Sequence, residues 1–377
     1  MVAKRRLPVQ FIEDSTEITD LVSILNDEST VALDTESNSR HGYPEKVCLI
    51  QIAASSGIYL VDPLAVKHLE VLEPLLNNPS ITKVMHGSDY DIRCLDRQWK
   101  LRISNLFDTG VAARFAGIKH IGLASLIKEL LGFDIIKDSK LQKGDWAARP
   151  LSEAALRYAA EDVRYLIELK TVLQKRIENL GRESWINEEF ERLAAIQYVS
   201  PNAETAFLSV KGSYQLDGQG RAVLKRLFAL REEEACRRNI PPYYVIPHDA
   251  LISLASDRSI DLNEYLFLKH GRNPNLGKKI KANIVEGLND PPIYPPLAHF
   301  PGRTHMSRSA TNLLNQLKMW RIEKADKLNI DPSLVWPMSS LKRISRCPGS
   351  FHTEQHDSEV RRWQRKMFAL EVQSYLP

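Results

Sequence analysis

Cysteine is scarce in this chain of 377 residues, and the cysteines present are far apart. No two of the four have the CxxC spacing of a zinc site, and they show no paired spacing typical of a disulfide-rich fold. The sequence therefore excludes a disulfide framework and predicts free thiols at Cys48, Cys94, Cys236 and Cys347.

Long apolar runs are also missing. A membrane-spanning helix needs roughly 20 consecutive apolar residues, and no run in the sequence comes close to that length. The first residues, MVAKRRLPVQFIED, lack the apolar stretch of a secretory signal. We therefore expect a cytoplasmic protein without a membrane span. Hydrophobic residues make up 43% and charged residues 26%, as in ordinary globular proteins, and the length predicts two or three domains.

Charge is distributed unevenly along the chain. Residues 1–211 hold 26 Lys and Arg against 30 Asp and Glu, whereas residues 301–377 hold 13 against 7. Residues 212–290 are close to balance, with 12 against 10. An acidic front and a basic tail suit a domain that uses carboxylates, followed by a region that binds a polyanion, although basic runs are often merely solvated surfaces.

The hydrophobic pattern of the first 200 residues predicts a mixed α/β domain. Three strand-like runs, VALDTE, VCLIQIAA and GIYLVD, are joined by short links and predict an antiparallel meander. Helical and strand-like segments then alternate up to about residue 108, and the rest is helical. The pattern predicts one long helix from Ser152 to Leu180, with Gly181 at its C-terminal end.

Two further helical regions follow, at residues 213–290 and 304–377. The proline-rich segment NDPPIYPPLAHFPGR, residues 289–303, cannot continue a helix and predicts a linker between them. The two regions have similar length and character, so they are candidates for two copies of one helical module, although their direct sequence similarity is weak.

Acidic residues interrupt the first predicted strand. Asp34 and Glu36 are two residues apart, so their side chains point to the same face of the strand. Like charges at this separation require a raised pKa or a cation between them. A strand end that runs into a solvated turn is the alternative interpretation of this fragment.

Two more acids lie where the next strand meets a helix, in the segment KVMHGSDYDIRCL. Asp89 is predicted to be the N-cap of that helix, and Asp91 falls in its first turn, where it could reach a metal at the edge of the sheet. On the last predicted helix, Tyr158 and Asp162 are four residues apart and share one face. Taken alone, this spacing is weak evidence, because an amphipathic helix edge is its commoner explanation.

Taken together, these three motifs resemble those of the DEDDy 3′-5′ exonucleases, and most closely the ribonuclease D family. The segments VCLIQIA, IYLVDPL, FDTGVAARFAG and DWAARPLSEAALRYAAEDV resemble ribonuclease D sequence over most of residues 15–180. Position 157, where the histidine subtype carries His, is Arg157, which favours the tyrosine subtype. Ser37 departs from the family, which often has an apolar residue there.

Residues 213–290 resemble a helicase-and-ribonuclease-D C-terminal (HRDC) module in the segments RAVLKRLFALREEEACRRNIPPYYVIPHDALISLA and NLGKKIKANIVEGL. The last 70 or so residues resemble it only in outline. The resemblance implies a ribonuclease H-like mixed sheet with flanking helices, followed by one or two small all-α HRDC-like domains. The corresponding domains are residues 1–200, 213–290 and 304–377.

The resemblance also implies an activity and its residues. Asp34, Glu36, Asp91 and Asp162 would hold two divalent metal ions, Mg²⁺ or Mn²⁺, and Tyr158 would orient the attacking water. The reaction would release 3′-terminal nucleotides of RNA as nucleoside 5′-monophosphates, in tRNA 3′ maturation, and the protein would be a monomer. A 3′-5′ DNA exonuclease and a non-catalytic RNA-binding scaffold are the alternatives.

Candidate RNA contacts outside the acidic domain are Lys278, Lys279 and Lys281, which lie near a predicted helix start. Cations at that position oppose the helix dipole, so they are available for phosphate contacts. A solubilising role for these lysines is the alternative.

Overall fold

The computed structural model describes residues 7–135, 138–257, 262, 275–294 and 306–377. The chain forms two compact units. The larger unit comprises Met1–Glu36, Val47–Tyr198 and His305–Pro377, and the smaller unit comprises Ser37–Lys46 and Val199–Thr304. Most of the predicted proline-rich linker, residues 295–303, lies outside the described residues.

A six-stranded mixed sheet organises the larger unit, as predicted. Its strands are β1 (Val9–Ile12), β2 (Thr30–Ser37), β3 (Val47–Ala53), β4 (Ile58–Val61), β5 (Thr82–Met85) and β6 (Leu106–Asp108), in the spatial order β1-β4-β3-β2-β5-β6. Strands β3 and β4 are antiparallel, whereas the pairs β1–β4, β2–β5 and β5–β6 are parallel. Strand β1 was not predicted from the sequence.

Helices flank this sheet. The α-helices of residues 7–198 are α1 (Ser15–Leu25), α2 (Glu73–Leu76), α3 (Asp89–Trp99), α4 (Thr109–Phe115), α5 (Leu123–Leu126), α6 (Ser139–Gln142), α7 (Glu153–Arg164), α8 (Leu166–Asn179) and α9 (Glu183–Ala194). A 3₁₀ turn at Leu69–Leu72 leads into α2, and a π-helical turn at Ile127–Leu131 follows α5.

The single long helix predicted from Ser152 to Leu180 is wrong, because Tyr165 leaves helical geometry (φ −110°, ψ 2°) and separates α7 from α8. The predicted end at Gly181 is confirmed. Gly181 has φ +64°, and the Arg182 amide donates to the Ile177 carbonyl at 3.1 Å, which closes the helix as in a Schellman motif.

The two faces of the sheet pack into two hydrophobic clusters. In β2, Val31 and Leu33 belong to one cluster and Ala32 to the other. Because side chains alternate along a strand, Asp34 and Glu36 continue the face of Ala32. Helix α7 packs on the same face, because its Ala159 and Val163 belong to the same hydrophobic cluster as Ala32.

The smaller unit contains α10 (Gly218–Arg238), α11 (Pro242–Val245), α12 (His248–Ser256) and α13 (Leu276–Asn289), with 3₁₀ turns at Ala206–Ser209 and Ser213–Gln215. Its core includes Leu224 and Leu227 of α10, Leu251 of α12 and Ile280 of α13.

The C-terminal helices belong to the larger unit. They are α14 (Arg308–Leu328), α15 (Pro332–Val335), α16 (Met338–Arg346), α17 (Phe351–Glu354) and α18 (Arg362–Ser374), with a 3₁₀ turn at Pro348–Ser350. Trp363 of α18 stacks on Trp185 of α9 with ring centroids 4.6 Å apart. The C-terminal helices therefore share a core with the sheet-containing region.

The helices α10 to α12 and α14 to α16 repeat the same pattern 90 residues apart. The helices of each pair have equal length, 21, 4 and 9 residues, and start at Gly218 and Arg308, Pro242 and Pro332, and His248 and Met338. Asn239 and Asn329 end the first helices with the same left-handed backbone, φ +49°. This agreement supports the hypothesis of two copies of one module. The domain limits 1–200, 213–290 and 304–377 remain predictions.

All four cysteines are thiols rather than disulfides; Cys48 and Cys94 are buried, and Cys236 and Cys347 are exposed. Within the part of the chain that the structure describes, no helix is both long and apolar enough to span a membrane.

Candidate active site

Strand β2 presents two acids on one face. Asp34 and Glu36 follow the buried residues Val31, Ala32 and Leu33, and both keep part of their surface exposed. Their alternation places them over the same side of the sheet as α7. A fully solvated turn, the alternative interpretation of this segment, does not describe them.

The third acid, Asp91, lies in the first turn of α3. Gly87 adopts φ +68° between β5 and α3, a conformation that glycine takes without steric cost. Asp91 is buried and accepts a hydrogen bond from the Thr35 hydroxyl of β2. That bond joins the strand of Asp34 and Glu36 to the helix of Asp91.

The prediction that Asp89 is the N-cap of α3 is wrong, because Ser88 occupies that position. Asp89 is the first helical residue and forms an exposed ion pair with Arg93, at 2.9 Å from Asp89 Oδ1 to Arg93 Nε. Its spacing of four residues from Arg93 favours this pair over a cap.

Asp108 supports the start of α3 from the neighbouring strand. Its carboxylate accepts hydrogen bonds from the Ser88 amide and the Ser88 hydroxyl, both at 2.8 Å, and from the Val111 amide at 2.9 Å. It thereby caps α4 and fixes the turn before Asp91. Asp145, in the loop before α7, accepts a hydrogen bond from the Ala147 amide at 3.0 Å.

Helix α7 supplies the last two candidates. It begins at Ser152, whose side chain accepts from the Ala155 amide, and it packs on β3 and β4. Tyr158 and Asp162 lie on the same face, and the Tyr158 hydroxyl donates a hydrogen bond to the Asp162 carboxylate. Both side chains are partly exposed.

The acids interact electrostatically. Burial raises the pKa of Asp34 well above its usual range, and the negative charges of Asp91, Asp162 and Glu36 raise it further. Burial, followed by Asp162 and Asp91, raises the pKa of Glu36 to about 9. Burial also raises the pKa of Asp91, to about 6, although the hydrogen bond from Thr35 lowers it. The structure therefore brings the four carboxylates within range of one another.

Tyr158 is part of the same cluster. Burial raises the pKa of its phenol, and the charges of Asp162, Glu36 and Asp34 add to the effect. The phenol is therefore protonated at neutral pH and can donate a hydrogen bond, but it is unsuited to act as a general base.

The donor set fits a hard divalent cation, because it consists of carboxylate oxygens alone, the ligands preferred by Mg²⁺ and Mn²⁺. Clustered carboxylates with raised pKa values also need a positive charge to remain ionised at neutral pH. Among the described residues, however, no three His, Cys, Asp or Glu side chains are already spaced around one ion position. Thr35 and Tyr158 hold two of the acids by hydrogen bonds instead.

The segment DWAARPL contributes two residues to which the sequence assigned no role. The Trp146 ring lies 6.1 Å from the Tyr158 ring. Arg149 forms an ion pair with Asp62 at 2.6 Å and 2.7 Å and donates to the Cys48 carbonyl at 2.7 Å. It also donates to the Trp146 carbonyl at 2.7 Å, so it connects the Trp146 loop to β3 and to the end of β4.

The three candidate lysines lie in the first turns of α13. Lys278 and Lys281 are exposed. Lys279 instead pairs with the buried Glu234 of α10 at 2.6 Å, and Arg237 pairs with the same carboxylate at 2.7 Å. This contact gives Lys279 a structural role within the smaller unit.

Comparison with protein families agrees with this architecture. Residues 9–178 match the family model for a 3′-5′ exonuclease, and residues 220–266 match that for an HRDC domain. Exonucleases of this kind are typically dependent on divalent metal ions.

Individual relatives identify the family more closely. The chain is 34% identical to ribonuclease D of a Shewanella species over 69% of this chain and 66% of that protein. It is 32% identical to ribonuclease D of Desulfotalea psychrophila over 86% of this chain and 88% of that protein. The crystal structure of Escherichia coli RNase D superposes with a TM-score of 0.72 at 22% identity, over 98% of each chain, which shows the common fold. The chain therefore belongs to the ribonuclease D family and is a 3′-5′ exoribonuclease.

Proposed function

We propose that Asp34, Glu36, Asp91 and Asp162 bind two divalent metal ions, Mg²⁺ or Mn²⁺, and that RNA is cleaved at this cluster. The observation that carries the proposal is the convergence of the acids: Thr35, between the two acids of β2, bonds to Asp91 of α3, and the helix of Asp162 packs on the neighbouring strands β3 and β4. Such ions would lower the pKa of the attacking water and neutralise charge on the scissile phosphate and the departing 3′ oxygen.

Tyr158 has a positioning role in this proposal. Its protonated hydroxyl donates to Asp162, and its oxygen can accept a hydrogen bond from the attacking water and so orient that water. Trp146 lies against the tyrosine ring and limits its motion. Hydrolysis in this arrangement removes one 3′-terminal nucleotide at a time as a nucleoside 5′-monophosphate.

For the cellular role, we propose 3′ maturation of tRNA precursors by a cytoplasmic monomer. The support is similarity, since the related E. coli enzyme is an exoribonuclease involved in structured RNA processing. The exposed Lys278 and Lys281 and the basic C-terminal region are proposed to contact the phosphates of folded RNA.

The first test is hydrolysis of RNA labelled at the 5′ or the 3′ end, with Mg²⁺, with Mn²⁺ and with a chelator. Asp34→Asn and Asp162→Asn are each expected to lower kcat by at least about 10³-fold because a metal ligand is lost. Tyr158→Phe is expected to lower kcat about 10- to 100-fold with little change in the metal concentration that gives half-maximal rate.

Asp89→Asn is the matched control, because Asp89 lies two residues from Asp91 but pairs with Arg93 on the surface. Its rate should equal that of the wild-type protein. Near-normal rates in the Asp34 and Asp162 variants would refute the metal assignment. An RNA and a DNA oligonucleotide of the same sequence, compared in the same assay, would measure the preference for RNA.

A further inference from the structure

Two adjacent tyrosines of the smaller unit lie side by side on its surface. Tyr243 and Tyr244 belong to the short helix α11, with ring centroids 4.6 Å apart and planes tilted by 50°. Tyr243 is 41% exposed and Tyr244 is 61% exposed. Neither belongs to the hydrophobic core of the unit, which takes Val245 and Ile246 from the same segment. The module therefore folds without using these two rings.

The internal repeat gives a direct comparison for these positions. Ninety residues later, α15 carries Ser333 and Leu334 in place of the two tyrosines. Leu334 is buried, and Ser333 accepts a hydrogen bond from Arg114 at 2.8 Å. In the second copy this turn contacts α4 within the larger unit, whereas in the first copy it exposes an aromatic pair. The two copies thus use the same turn for different contacts.

The charge of Arg40 reaches the aromatic pair electrostatically. Burial and the neighbouring Tyr244 raise the pKa of the Tyr243 phenol. The positive charge of Arg40, which is exposed, opposes this rise. Arg40 belongs to the segment Ser37–Lys46, which clusters with the smaller unit.

Hydrogen bonds hold that segment in place. The Tyr43 amide donates to Asn239 Oδ1 at 3.1 Å, and the Tyr43 hydroxyl donates to Glu232. Asn239 ends α10 immediately before α11, so the same residue positions both the segment and the tyrosine turn. The segment begins at the residue after Glu36, so the chain runs directly from a strand of the candidate active site into the segment that carries Arg40.

We propose that Tyr243, Tyr244 and Arg40 form a platform that binds single-stranded RNA, with the two rings stacking on bases and the guanidinium contacting phosphate. Aromatic faces beside a basic group bind single strands without sequence preference, because every base has a stacking face. The inference rests on the RNA substrate of the chain and not on the metal assignment. It gives the smaller unit a specific part in substrate binding.

The test measures affinity for a fluorescent single-stranded RNA of about 12 nucleotides, with chelator present and in the Asp34→Asn chain, so that no substrate is consumed. Replacing both tyrosines by alanine is expected to weaken binding by about 10-fold or more, because stacking on each ring is lost. Replacing both by phenylalanine should preserve affinity within about 2-fold, and replacing both by leucine should not. Tyr214→Ala, which removes a tyrosine of similar exposure (55%) elsewhere in the smaller unit, is the matched control and should have no effect.

The salt dependence separates the two kinds of contact. Arg40→Ala should reduce the slope of log K against log salt concentration by about 0.7, as expected for one lost phosphate contact on a single strand. The tyrosine variants should leave this slope unchanged. Circular dichroism and thermal melting check that each variant is folded.

Alanine variants that are folded and bind RNA as tightly as the Tyr214→Ala control would overturn the platform, and so would leucine variants that bind like phenylalanine variants. Near-normal hydrolysis by the Asp34→Asn chain, measured separately with Mg²⁺, would refute the metal assignment and leave the platform standing. The two proposals can therefore fail independently.

Discussion

Lys83 is a charged residue in the interior of the sheet. It lies in the middle of β5, pairs in register with Val31 and Leu106, and has no exposed surface. Its Nζ donates to the Asn78 carbonyl at 2.6 Å and the Ile81 carbonyl at 2.7 Å. Burial lowers the pKa of Lys83 to about 8, because an ammonium group loses more hydration than a neutral amine. Both carbonyls can still accept hydrogen bonds from the neutral amine.

This shift predicts a pH dependence of stability. Between pH 8 and about 10.4 the unfolded chain binds more protons at Lys83 than the folded chain, so the free energy of unfolding should rise with pH across that interval. Other groups titrate there too, and the diagnostic quantity is therefore the difference between wild type and Lys83→Met in urea unfolding at several pH values.

Lys83→Met removes two hydrogen bonds, which lowers stability by a pH-independent amount, but it should also remove the rise above pH 8. Parallel stability curves for the two proteins would mean that Lys83 is not desolvated in the folded state. Lys67→Met, at an exposed lysine, is the control and should leave the pH dependence unchanged.

At this scale, sequence reasoning worked where spacing alone fixes geometry. Asp34 and Glu36 share a face because a strand alternates, and Tyr158 and Asp162 share one because they are a helical turn apart. The supporting contacts of Thr35 and Ser88 were not predictable, since they join residues that are 56 and 20 positions from their partners. Only the folded chain shows that Thr35, between two acids of β2, bonds to the acid of another element.

At the scale of elements, Arg149 attaches the loop before α7 to the sheet. Arg149 donates to Asp62, to the Cys48 carbonyl and to the Trp146 carbonyl, and this set of bonds holds Trp146 against Tyr158. Burial is the largest single effect on the pKa of Asp62 and raises it. The hydrogen bond and positive charge of Arg149 act in the opposite direction, and the pKa of Asp62 is below its usual range. The loop is therefore a candidate positioning element for the tyrosine.

Trp146→Ala is expected to lower kcat about 10-fold with a smaller change in KM, because Tyr158 loses the ring that restricts it. Trp146→Phe should restore most of the rate, which a purely structural defect would not predict. The double-mutant cycle with Tyr158→Phe is the decisive measurement. If Trp146→Ala costs as much in the Tyr158→Phe chain as in the wild type, Trp146 does not act through Tyr158.

The errors at the scale of elements have local causes. The sequence of α7 and α8 is continuously helical in pattern, yet the chain turns at Tyr165, whose side chain is buried and stacks on Phe133 at 5.0 Å. Such a tertiary contact overrides helix propensity and leaves no periodic signal. Strand β1 has only four residues, and its parallel pairing with β4, Val9 to Ile58, depends on a partner that is distant in sequence.

At the scale of the whole chain, the basic tail has partners within the protein. Arg361 pairs with Glu189 at 2.8 Å, and Arg362 pairs with Glu191 at 2.7 Å, both on α9 of the acidic front. Some basic residues of the tail therefore form ion pairs with acidic residues inside the larger unit. The positive charge available for RNA in residues 306–377 is correspondingly smaller than its composition suggests.

The same contacts predict that the C-terminal helices stabilise the exonuclease region. Trp363 is buried between Trp185, at 4.6 Å, and Phe115, at 5.5 Å, and its amide donates to Glu188 at 3.1 Å. Trp363→Ala would leave a large cavity beside both rings and should lower the free energy of unfolding by about 3–5 kcal/mol. The exonuclease activity should consequently be lost at a lower temperature, although the substitution is far from the candidate metal ligands in sequence.

Leu370→Ala, on the same helix but 83% exposed, is the control and should change stability by less than about 0.5 kcal/mol. The measurements are the urea midpoint of the full chain and the temperature at which half of its RNA hydrolysis is lost after brief heating. If Trp363→Ala lowered the urea midpoint without lowering that temperature, the C-terminal helices would unfold separately. They would then form an independent domain that binds the exonuclease region without stabilising it.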